Sequence, residues 1–250
     1  MEHWNTRAKK RERYNSAVPY AEIQPTPALR PWVECFWTKR AENSAATDVH
    51  RVLPDGCADL LFDLSDGDGA VIGTMTRPVL VPVDDTTEYL GVRFRPGCAA
   101  AFLRLPLSEI TDARVPLADV WKNWNGRIDV PSLEAELLRR LDPDCDRRVL
   151  AAVARLVQSA GALRIDDLAN EIGISRQHLA RQFLQQVGVT PKTLGRVLRF
   201  RRVVESLERS PEVDWADAAL QHGYYDQSHL ISDFRELAGT TPSTFLFSNR

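Results

Sequence analysis

Eight polar side chains toward the C-terminal end of the chain stand at spacings that would place them on exposed helix faces. Arg176, Gln177 and Arg181 lie in one segment, and Gln227, Ser228, His229, Ser232 and Arg235 in another. Guanidinium, amide, hydroxyl and imidazole groups hydrogen-bond to base edges and phosphates, so two such helices have the equipment to read double-stranded DNA in the major groove. The plainer alternative is the solvated face of an ordinary amphipathic hairpin. Leu179 with Phe183, and Leu230 with Phe234, recur at helical spacing and mark the opposite, inward face of each helix.

Two further sets could carry chemistry. Asp59 and Asp63 alternate with apolar residues on one expected strand, and Arg93 and Arg95 on another. Four charges on one sheet surface are either cross-strand ion pairs facing water or the lining of a polar ligand pocket. His50, Asp55 and Cys57 surround a turn and offer a nucleophilic constellation. The turn already explains Asp55, so an enzyme using Cys57 is the weaker alternative and no catalytic residue is assigned.

The two polar-faced segments belong to a tandem repeat spanning 165–191 and 214–242. Laid over each other, Ala169 meets Ala219, Gly173 meets Gly223 and Pro191 meets Pro242, with one extra residue in the second recognition segment. Each copy reads as a helix-turn-helix. The small alanine lets a second helix approach closely, and the glycine makes a turn at positive φ, which costs other residues about 1 kcal/mol or more. Ser175 and Asp226 stand where N-caps belong, so the second helices should start near Arg176 and Gln227. Between the copies, Leu194, Val197, Leu198, Val204 and Leu207 predict one long amphipathic helix. It carries Arg196, Arg199 and Arg202, which either approach phosphates or face water.

On these residues, 145–250 resemble the AraC/XylS-type transcription regulators, whose DNA-binding domain is two helix-turn-helix units joined by a long helix. The most specific match is Gly223-Tyr224-Tyr225-Asp226-Gln227-Ser228-His229-Leu230, with Phe234-Arg235 and Gly239-Thr240-Thr241-Pro242. Relatives usually carry an arginine two residues before the aromatic of the second recognition helix. Ser232 stands there in this chain, whereas Arg181 keeps the equivalent place in the first. More weakly, Leu53–Leu60 and Gly91–Gly97 look like the N-terminal domain found on some of these regulators. The resemblance implies a transcription regulator acting on double-stranded DNA as a homodimer, with an N-terminal domain that senses a small-molecule effector or dimerises. The alternative is an N-terminal domain that only docks another protein.

The rest of the chain fits that reading. Its 250 residues, 44% hydrophobic and 26% charged, suffice for two globular domains with real cores. The net charge of −2 disguises an asymmetry, because the part from Cys145 onward holds 14 Lys and Arg against 12 Asp and Glu. No run approaches the roughly 20 apolar residues of a membrane span, and no signal-peptide core opens the chain, so a cytoplasmic protein without membrane contact is expected. Cys35, Cys57, Cys98 and Cys145 are scattered, and neither they nor the five histidines show metal-ligand spacing. Neither metal nor cofactor is expected.

The expected fold class is α+β. Residues 1–20 are a disordered basic tail. Residues 21–141 alternate in strand-length segments and then turn helical, giving a mostly antiparallel β barrel or sandwich with helices. Its first strand is expected at Trp32–Trp37, and Pro54-Asp55-Gly56 makes a turn. A boundary at Leu141–Asp144 leads to the all-α DNA-binding domain, 145–250.

Overall fold

The computed structural model describes residues 20–40, 49–82, 88–142, 144–207 and 214–248. The basic tail expected at the N-terminus lies outside these residues, apart from Tyr20.

Among the described residues the N-terminal part holds eight strands: β1 (Tyr20–Ile23), β2 (Val33–Arg40), β3 (Val49–Val52), β4 (Asp59–Asp63), β5 (Gly69–Ile72), β6 (Val79–Pro82), β7 (Glu88–Phe94) and β8 (Arg114–Pro116). Six form an antiparallel sheet in the order β1-β2-β7-β4-β5-β8, while β3 and β6 pair separately. Alternation sends Phe36, Leu60, Phe62, Leu90, Val92 and Phe94 to one face. That face packs on Phe102 of α1 (Ala100–Leu103), Leu117 of α2 (Leu117–Val120), Trp121, and Leu133 and Leu137 of α3 (Val130–Arg140). The antiparallel expectation holds, but the sheet stays open. Its end strands β1 and β8 do not pair, because the helices already cover the apolar face that closure would have buried. The strand β1 was not expected. It precedes the proline segment rather than following it, and its residues Ala21, Glu22 and Ile23 are exposed, which left no alternating apolar signal.

In the C-terminal part the described elements are all helices: α4 (Arg147–Gln158), α5 (Ile165–Ile172), α6 (Arg176–Gln186), α7 (Pro191–Leu207), α8 (Trp215–Gln221), α9 (Gln227–Ala238) and α10 (Pro242–Ser248). Two cores form around it. Val149, Val153, Leu156, Leu168, Leu179, Phe183 and Leu194 make the first. Val197, Phe200, Val204, Ala219, Leu230, Phe234, Leu237 and Phe245 make the second. The helix α7 supplies both, so it fixes the separation of the two units. Phe183 and Phe234 are wholly buried and contribute on the order of 2–3 kcal/mol each. Leu53, from the turn between β3 and β4, joins the second core.

Candidate nucleic-acid interface

The two units share their backbone geometry at the turns. Gly173 and Gly223 both adopt φ +76. The next amide bonds back to the first helix in each, Ile174 N to Ala169 O at 3.1 Å and Tyr224 N to Ala219 O at 2.9 Å. Ser175 Oγ accepts from His178 N at 3.2 Å and Asp226 Oδ1 from His229 N at 2.8 Å, which sets the first residues of α6 and α9 as the spacing predicts. Thr190 and Thr241 likewise accept from Thr193 N and Thr244 N at the starts of α7 and α10. With both glycines and both following residues matched, the extra residue of the second unit is Tyr225. It is pushed out between turn and cap and is 87% exposed. Sequence reasoning counted the insertion but gave it no role; the offset between the glycine and the N-cap was the available signal.

All eight predicted side chains, Arg176, Gln177, Arg181, Gln227, Ser228, His229, Ser232 and Arg235, are exposed. Arg176 lies 3.4 Å from Asp166, and Arg181 Nη2 lies 3.2 Å from His178 Nδ1, loose surface contacts that a phosphate or base could replace. The arginines of α7 behave differently. Arg196 donates through Nε and Nη2 to the buried Asp233 at 2.9 and 2.7 Å and through Nη1 to Glu236 at 3.1 Å. These bonds hold the Glu236 carboxyl below its usual range. Arg199 donates to Gly161 O at 2.7 Å, with its guanidinium over the Tyr224 ring. Both brace the fold, while Arg202 is exposed.

In the β domain the four predicted charges do not converge. Asp59 and Arg93 are direct partners across β4 and β7, with Nε 3.4 Å from Oδ1. Asp63 instead accepts from Ser65 N at 2.9 Å, and Arg95 Nε donates to Arg30 O at 2.8 Å. Asp55 takes their place, its Oδ2 lying 3.6 Å from Arg93 Nε. Trp37 Nε1 donates to Asp59 Oδ1 at 3.2 Å, and its ring lies over Gly91, where a Cβ would come within 2.0 Å of the indole. Tyr20 stacks on Trp37 at 6.0 Å. Arg93 Nε is buried without a hydrogen bond, since neither carboxylate reaches it closely enough. Burial pushes the Asp59 carboxyl up to about 6, against the pull of Arg93 and with a further push from Asp55. Burial, together with Asp55 and Glu34, also raises the Cys57 thiol well above its ordinary value, which disfavours the thiolate that nucleophilic chemistry needs. Among the described residues no cluster of His, Cys, Asp and Glu could hold a metal ion, and no helix is long and apolar enough to cross a membrane.

Two helix-turn-helix units on one spacer helix, each with an exposed polar face and attached to a β domain, define a DNA-binding regulator. Residues 168–247 match the family described as helix-turn-helix domain, and residues 21–116 match a domain of unknown function, DUF6597. The chain is 34% identical over 91 residues to the probable transcription factor PqrA of Proteus vulgaris, covering 36% of this chain and 72% of that protein. It is 29% identical over 89 residues to the HTH-type transcriptional activator AarP of Providencia stuartii, covering 35% of this chain and 64% of that one. A solved structure of ToxT from Vibrio cholerae aligns with 93% of this chain and 98% of its own at a TM-score of 0.41 and 16% identity. The assignment rests on the sequence relatives. The chain belongs to the AraC/XylS-type transcription regulators and is a sequence-specific DNA-binding transcription regulator.

Proposed function

We propose that α6 and α9 enter successive major grooves of one double-stranded DNA site, and that the β domain, 21–141, tunes this binding by sensing a small molecule or by pairing two copies. Arg176, Gln177 and Arg181 read from α6. Gln227, Ser228, His229, Ser232 and Arg235 read from α9, and Tyr225 stands at its entrance. The observation that carries this reading is that all eight side chains are exposed on the two helices whose opposite faces, Leu179 with Phe183 and Leu230 with Phe234, are wholly buried. The effector site is the Arg93–Asp59–Asp55 centre beside Trp37, a half-buried group of charges with an unsatisfied guanidinium nitrogen. Self-association is supported by Val49, Val79 and Leu80, exposed apolar residues on the β3–β6 pair. On this reading the protein works in the cytoplasm.

Selection of binding sites from random duplex DNA with the full chain tests the reading. The two helices differ in sequence, so the selected site for one chain should be asymmetric, its two elements about one helical turn, roughly 34 Å, apart. Affinity should fall steeply with added salt as counterions are released. A folded protein that enriches no sequence and binds no duplex at low salt would overturn it.

A further inference from the structure

Turns between strands ordinarily run over the surface, where water satisfies their backbone. The turn from β3 to β4 does not, for Leu53, Pro54, Gly56 and Cys57 are all buried. The DNA-binding domain covers it. Leu53 packs into the second core with Val197 and Phe200 of α7. Gly56 lies so close to the same helix that a Cβ there would sit 2.6 Å from Leu194 Cδ1, and Leu194 belongs to the first core. The turn therefore touches α7 at the joint between the two reading units. Asp55, within the same turn, faces the other way. Its Oδ1 accepts from Cys57 N at 2.9 Å and its Oδ2 reaches toward Arg93, the guanidinium that also faces Asp59.

The two units are held to the β domain by different means. The end of α6 is pinned by hydrogen bonds: Thr74 Oγ1 donates to Val187 O at 2.7 Å, Thr111 Oγ1 to Gly188 O at 2.6 Å, and Gln186 Nε2 to Gly97 O at 3.2 Å. The second unit meets the β domain through apolar packing, with Leu53 in its core and Pro78 against Gly239. Directional bonds hold a position; apolar contacts allow sliding.

We propose that residues 53–57 are the transmission element of this regulator: a change in the charges around Arg93 moves Asp55, and with it Leu53 and Gly56, so that the second reading unit shifts on α7 against the pinned first one. This rests on the reading of the Arg93–Asp59–Asp55 centre as the effector site and adds its route to DNA. Packing is close along that route: Leu53 sits in the second core, and a Cβ on Gly56 would come within 2.6 Å of Leu194 Cδ1 on α7. A movement at the polar end thus has a direct contact through which to reach α7.

The test is a double-mutant cycle on the full chain, with the dissociation constant for a selected two-element DNA site as readout. Asp59→Asn removes one of the two charges balancing Arg93 and leaves Asp55 as its remaining carboxylate partner from that pair. It should change the constant about fivefold or more. Leu53→Ala cuts the apolar end of the turn from the second core, and in that background the same Asp59→Asn change should have almost no effect. Equal effects in both backgrounds, or no effect of Asp59→Asn in a protein that melts like the wild type, would overturn the route. Should Asp59→Asn fail to fold, Asp55→Asn enters the cycle in its place with the same two outcomes. No effector is needed, so an additive cycle sinks the route alone. The effector-site reading fails separately, if small molecules that raise the melting temperature of the wild type raise that of Arg93→Gln equally.

Discussion

The hydroxyl of Thr74, in the loop after β5, donates to the carbonyl of Val187 at the end of α6 across 2.7 Å, and both residues are buried. A helix leaves its last carbonyls without partners inside the helix, and this one is satisfied by the other domain. Thr74→Val keeps the shape and deletes the donor. It should cost about 1–3 kcal/mol and speed amide exchange in the last turn of α6 before any other helix of the first unit. Wild-type melting and exchange in this variant would show the contact to be incidental.

Arg196 and Asp233 set a second test, on stability. Asp233 is 2% exposed, and its carboxylate depends on the guanidinium of Arg196. Arg196→Met should strand that charge and cost about 3–5 kcal/mol, while Asp233→Asn in the same background should restore much of it. Glu236→Gln removes the exposed partner of the same arginine and should cost under about 1 kcal/mol. Urea denaturation of the three variants compares them directly, and equal costs for Arg196→Met and Glu236→Gln would refute the ranking.

The reading units were legible because their signals are local. A glycine, a cap and a buried aromatic at fixed offsets suffice to start and orient a helix, and Ser175, Asp226, Phe183 and Phe234 stand where the spacing put them. The roles of Arg196 and Arg199 were not legible, since spacing along α7 gives the face of a side chain but not the acid or carbonyl it will meet on another helix. The four β-domain charges show the same limit. Alternation placed Asp59 and Asp63 on one face, but register decides partners, and it set Asp63 opposite Tyr89 while Asp59 met Arg93. The turn, and a weaker place beside His50 and Cys57, were all that sequence offered for Asp55, because its second oxygen contacts a strand 38 positions away in sequence. The burial of that turn by α7 is a contact between domains and has no local signature at all.

Asp59 gives a pH dependence with a definite sign. Its folded carboxyl titrates near 6 and an unfolded one near 3.8, so between those values the native state holds the extra proton. Stability from this group is therefore full at low pH and is lost as pH rises through about 4 to 6. His50, pushed down to about 4 by burial and by Lys39, works in the opposite direction in the same window. Subtracting the melting curve of Asp59→Asn from that of the wild type cancels the histidine. The variant should gain relative to the wild type as pH rises from 4 to 7, and a difference that stays constant would mean that Asp59 is not perturbed.

Arg181 and Ser232 occupy equivalent places on the two reading helices and should contribute unequally. Arg181→Ala removes a group able to bond two guanine acceptors, which should cost roughly 1–3 kcal/mol and relax preference at one or two base pairs. Ser232→Ala deletes a short hydroxyl and should do much less. Repeating site selection with each variant decides the matter. If Ser232→Ala shifts the selected sequence while Arg181→Ala leaves it unchanged, the reading roles are wrong even though the family is right.

Tyr225 should anchor the second helix to the DNA backbone. It is the residue that the second unit has and the first lacks, it immediately precedes the N-cap of α9, and folding leaves its ring 87% exposed. A residue just ahead of a recognition helix flanks those that reach base edges, and there an aromatic ring can pack on sugar and a phenol hydroxyl can donate to phosphate. Neither contact reads sequence. Tyr225→Ala should therefore weaken binding to the selected site and to scrambled duplex by a similar factor, on the order of three to tenfold for one neutral hydrogen bond and its ring contact. Its melting temperature should match the wild type, because so exposed a ring adds little to the fold. Tyr225→Phe separates the two contributions: full affinity assigns the effect to ring packing, and alanine-like affinity to the hydroxyl. Wild-type affinity in Tyr225→Ala, with both DNAs, would leave the insertion without a role at the interface.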